Sequence, residues 1–96
     1  MRYFHRTSLP LHDVLTEADA YFGSRMAAGA SEHRSRSWKS GIGQVTLQVE
    51  AEGGHYTRIT VSTDQVGESE IDKFAKGFLT QVHTKVDPHH VARGAY

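Results

Sequence analysis

The stretch that most constrains this chain is Gln44–Ala51, where apolar and polar residues alternate without a break. Val45, Leu47, Val49 and Ala51 share one side; Gln44, Thr46, Gln48 and Glu50 share the other. A strict period of two belongs to a strand with one buried face and one open face. Glu52-Gly53-Gly54 follows, and glycine supplies the positive φ that a hairpin turn needs. His55–Thr63 reads as the returning strand, with Thr57, Ile59 and Val61 inward and Tyr56, Arg58, Thr60 and Ser62 outward. An antiparallel sheet with one covered face is the minimum that this pattern allows.

The cover is visible in the sequence too. Ile71, Phe74, Ala75, Phe78, Leu79, Val82 and Val86 recur at helical spacing, so Ser69–Val86 is predicted to be an amphipathic helix. Ser69 suits the N-cap, Asp72 stands where a capping box places its acid, and Asp72 and Lys76 form an i, i+4 pair. Pro88 ends the helix and His89–Tyr96 follows. A second stripe, Leu11, Val14, Leu15, Ala18, Tyr21 and Phe22, begins after Pro10 and is expected to end at a cap on Gly23. Arg2–Ser8 reads as a short aromatic-rich strand. Ser24–His33 is small and polar and reads as a loop. Arg34–Ser40 reads as a strand anchored by Trp38, and Gly41-Ile42-Gly43 as a turn.

These elements predict an α+β fold of two layers, an antiparallel sheet of about four strands with two helices on one face, in the order β-α-β-β-β-α. With 96 residues the expectation is one domain over 1–96, with 87–96 as a C-terminal tail. A core of this size is thin, and small chains often gain stability by pairing with a copy. The element order resembles the helix-grip (START-like) and TATA-binding-protein-like folds. That resemblance implies a curved sheet around the last helix and the binding of a small molecule, with weak enzymatic activity as an option. No motif of those families is matched residue by residue. So few strands would leave any pocket shallow or completed by a second subunit.

Eleven basic and eleven acidic residues cancel, which argues against nucleic acid and anionic lipid as partners. Cysteine is absent, which excludes disulfides, thiolate metal sites and cysteine nucleophiles. No apolar run approaches membrane-spanning length, and the default compartment is the cytoplasm. Neither Gly41-Ile42-Gly43 nor Gly67-Glu68-Ser69 completes a phosphate loop or a nucleophile elbow. No cofactor is implied.

Three constellations remain. Arg34, Arg36 and Trp38 alternate, so on a strand they share a face that can anchor a partner. Tyr56 and Arg58 lie on the outer face of the returning strand, and both are types that interfaces favour. Among seven histidines, His83, His89 and His90 cluster near the C-terminus, and imidazole binds zinc, copper or nickel. Acid–base chemistry would require Tyr3, His5, Tyr56, Arg58, Asp64 and Glu68 to meet at one end of the sheet. The leading expectation is a non-enzymatic binding or protein-interaction module, oligomeric, with Arg34, Arg36, Trp38, Tyr56 and Arg58 as contact residues. The alternatives are a small-ligand domain of helix-grip type and a histidine metal site.

Overall fold

The computed structural model describes residues 1–86. Along the chain run β1 (Arg2–Thr7), α1 (Leu11–Gly23), β2 (Ala27–Glu32), β3 (Ser35–Ser40), β4 (Gly43–Glu52), β5 (Tyr56–Thr63) and α2 (Glu70–Val86). The strands form one antiparallel sheet of five, in the order β1-β5-β4-β3-β2. The α+β class and the antiparallel sheet are as expected from the sequence. The sheet holds one strand more than the roughly four expected, because the supposed loop 24–33 contains β2.

β2 escapes a pattern reading for a physical reason. All six of its residues are exposed, so burial imposes no alternation. It is held by its ladder to β3, and between Ala28 and Ser31 the ladder slips by a bulge. Gly29 and Ala30 there oppose Ser37, whose Oγ accepts the Ala30 N–H at 2.9 Å.

The β4–β5 hairpin forms as its sequence dictates. Val45, Leu47, Val49, Thr57, Ile59 and Val61 are buried, while Ala51 at the strand end is exposed. Gly53 and Gly54 take φ of 64° and 79° in the turn. Both helices lay their apolar stripes on that inner face. Val14, Leu15, Ala18 and Phe22 of α1 join Ile71, Ala75, Phe78, Leu79 and Val82 of α2 in one core. Full burial of each large side chain contributes roughly 1.5–3 kcal/mol. Trp38 enters the same core, stacked on Phe22 with ring centres 4.6 Å apart.

The helix ends are only partly as expected. Ser69 Oγ accepts the Asp72 N–H at 3.2 Å, but Asp72 reaches back to the Glu68 N–H at 3.4 Å instead of to that of Ser69. Glu68 has a φ of 72° at this corner. Gly23 is not a left-handed cap: the helix runs through it, and Ser24 closes the turn in αR geometry with its Oγ donating to the Tyr21 carbonyl. Among the described residues no helix is long and apolar enough to cross a membrane.

Candidate interaction face

The two helices cover one side of the sheet, and the register decides what the other side presents. On β1 the inward residues are Tyr3, His5 and Thr7; Arg2, Phe4 and Arg6 point outward. Phe4 pairs with Thr60, which pairs with Gln48, which pairs with Ser35. In the next outward row Arg6 lies opposite Arg58, and Arg58 opposite Glu50. Tyr56, opposite Glu52, stands beyond them.

This open face carries two large half-exposed aromatics, Phe4 at 48% and Tyr56 at 47%. Each lies under an arginine. The Arg58 guanidinium sits 4.7 Å from the Phe4 ring centre, and that of Arg6 4.9 Å from the Tyr56 ring. Arg6 and Arg58 are like charges directly across a strand pair, an arrangement that costs stability. Splaying onto the two rings, with Glu52 4.0 Å from Arg6, relieves it. Exposed contacts of this kind are worth roughly 0.5–1 kcal/mol each, so folding gains little from them. Beside them, a surface depression of about 370 Å³ is lined by Glu32, His33, Arg34, Gln48 and Glu50.

The residues singled out from the sequence therefore separate. Tyr56 and Arg58 lie together on the open face, and Arg34 is exposed in the lining of the depression, its carbonyl accepting the Val49 N–H at 3.0 Å. Arg36 and Trp38 lie on the helix side. Trp38 is 2% exposed. The Arg36 guanidinium folds onto the carbonyls of Ser35 and Glu32 and stands 3.5 Å from Asp19 of α1. Because β2 lies outside it, β3 is an interior strand, and Arg34, Arg36 and Trp38 form no single surface. Phe4 and Arg6 went unnoticed in the sequence. Only the β1–β5 register could have revealed them.

The supposed acid–base cluster does not assemble. Tyr3 and His5 face the helices, Tyr56 and Arg58 the opposite side, and Asp64 Oδ1 accepts the Gln44 N–H at 2.9 Å. Tyr3 has a different task. Its hydroxyl donates to Asp72 Oδ1 at 2.5 Å, and Lys76 Nζ stands 3.5 Å from Asp72 Oδ2. Burial raises the Asp72 pKa, but Tyr3, the Glu68 N–H and Lys76 together outweigh it and hold this carboxyl below its ordinary range. Burial first, and Asp72 next, push the Tyr3 phenol upward. This is a buried clamp between β1 and α2.

Further along that seam, His83 meets His5 with ring centres 6.0 Å apart. Burial, then the charge of His83, lowers the His5 pKa. His89 and His90 lie outside the described residues. Among the described residues no group of three or more potential ligands could hold a metal ion. No family model matches the chain, and no curated protein matches its sequence.

Proposed function

We propose that this chain is a small non-enzymatic interaction module that docks a protein partner on the open face of its sheet and works as a homo-oligomer. The observation that carries this reading is the pair Phe4 and Tyr56, half-exposed beneath Arg58 and Arg6 on the face that the helices leave bare. Aromatics and arginine are the types that dominate binding energy at protein interfaces. The zero net charge supplies no wide field for a nucleic-acid backbone. A ligand held between α2 and the sheet is the weaker reading, because Leu47, Ile59 and Phe78 are fully buried in one core there.

The test compares the chain with its Phe4→Ala/Tyr56→Ala variant as baits in lysate of its own host, beside light scattering. The expected result is a partner captured by the native bait and lost by the variant, with unchanged melting temperature. A bait that captures nothing selectively, and scatters as a strict monomer at high micromolar concentration, would sink the reading.

A further inference from the structure

The sheet has two outer edges, and they differ in charge. A copy of the chain meeting β1 antiparallel about Phe4 would set Arg2 against Arg6 at both ends, and charge of this kind blocks edge pairing. β2 carries no positive charge, and all six of its residues are exposed on both faces. Its outer backbone groups have no strand beside them among the described residues. An open edge of this sort is a template for another strand.

We propose that the occupant of this edge is β2 of a second copy, paired antiparallel about a two-fold axis between Gly29 and Ala30. The inference rests on the oligomeric part of the reading above and names its surface. The bulge is what makes the register self-consistent. In a regular strand, residues five apart point to opposite faces. Here one extra residue resets the alternation, so Ala27, paired with Lys39, and Glu32, paired with Ser35, lie on the same open face. About the proposed axis Ala27 therefore meets Glu32 of the second copy, Ala28 meets its Ser31, and two bulged residues meet two.

Charge complementarity favours this occupant. Lys39 neighbours Ala27 on the open face, so Glu32 of the second copy arrives one strand beyond it, in the same row. The separation is roughly 10 Å between backbones, within the reach of a lysine lying over an alanine. Symmetry supplies the pair twice, and the neutral chains do not repel. The dimer leaves Phe4, Arg6, Tyr56 and Arg58 free and joins two five-stranded sheets into one open face.

The absence of cysteine gives a clean test, since each variant carries a single thiol. In the proposed register the two copies of position 30 stand roughly 6 Å apart, within disulfide range, and the two copies of position 27 roughly 16 Å apart. Light scattering is expected to give twice the chain mass. Mild oxidation is expected to cross-link Ala30→Cys but neither Ala27→Cys nor Tyr56→Cys. Glu32→Lys alone should weaken dimerisation about ten-fold by making both pairs repulsive, and Glu32→Lys/Lys39→Glu should restore it. Cross-linking at Tyr56→Cys without Ala30→Cys overturns the edge dimer and leaves the interaction module standing. A monomeric chain whose bait still loses its partner on Phe4→Ala/Tyr56→Ala does the same. A monomer that captures nothing selectively overturns both.

Discussion

Replacing Tyr3 with Phe removes one oxygen from the interior and changes almost nothing else. That oxygen donates to Asp72, whose side chain is fully buried. A hydrogen bond to a charged group contributes about 1.5–3 kcal/mol, and the variant leaves a buried carboxylate oxygen short of a donor. The Glu68 N–H and Lys76 remain, which keeps the loss near 2 kcal/mol. For a domain of this size that is a fall in melting temperature of about 8–16 °C. The pH dependence separates this mechanism from simple repacking. The Asp72 pKa is lower in the folded state than its ordinary 3.8, so its stabilisation is present above that value and is lost as pH falls through the folded value. Tyr3 is one cause of that lowering. The gap between native chain and variant should therefore be full at neutral pH and narrow in acid. Urea unfolding with unchanged m-value measures it. A gap below about 0.5 kcal/mol at pH 7, or one that stays constant into acid, refutes the clamp.

Gly77 lies under the Tyr21 hydroxyl, which donates to the Phe74 carbonyl at 2.7 Å, so a Cβ there would displace it. Gly77→Ala should cost about 1–2 kcal/mol despite the better helix former, yet become stabilising in a Tyr21→Phe background; equal effects in both backgrounds would refute the contact. The lowered His5 pKa means that the unfolded chain takes up that proton more readily than the folded one. Its contribution is full above the ordinary value of 6.5 and fades as pH falls below it, and His5→Gln should flatten that slope in unfolding free energies measured between about pH 5 and 8. Trp38→Ala should destabilise by roughly 3–5 kcal/mol and Arg34→Ala by less than about 0.5, so comparable losses in calorimetry would contradict their placement in core and on surface.

What the sequence makes legible follows burial. Gln44–Ala51 and the Ile71–Val82 stripe were readable because each element has one face in the core, and burial writes its period into residue type. β2 buries nothing, so Ala27–Glu32 carries no period and reads as a loop. Asp72 was legible as a cap residue, but its partner Tyr3 is 69 positions away and no local spacing encodes it. Trp38 and Arg36 sit on one face of one strand, and the pattern could not tell a core anchor from a binding surface. Tyr56 and Arg58 were found because the hairpin register follows from the alternation of a single hairpin. Phe4 and Arg6 were missed because β1 pairs with the last strand, and nothing near them in the chain says which way they point.

The direction of Phe4 is itself a consequence of the clamp. Tyr3 and Phe4 are adjacent aromatics, and a slip of one residue in β1 would exchange their faces. Such a slip would bury one aromatic ring as it exposes the other, so hydrophobicity alone does not favour the observed register. The polar partners decide it. In the observed register Tyr3 satisfies Asp72, while Thr7 Oγ1 accepts the Leu9 N–H at 3.2 Å and Thr57 Oγ1 donates to the Leu9 carbonyl at 2.7 Å. A slip would strand a buried carboxylate and break that corner, at a cost of several kcal/mol. The buried network on one side of β1 thus holds Phe4 and Arg6 on the other. A Tyr3→Phe/Asp72→Asn variant should lose amide protection along β1 well before β4, and should lose partner capture along with it. If β1 keeps native protection while capture disappears, the clamp does not set the register and the link between interior and open face fails.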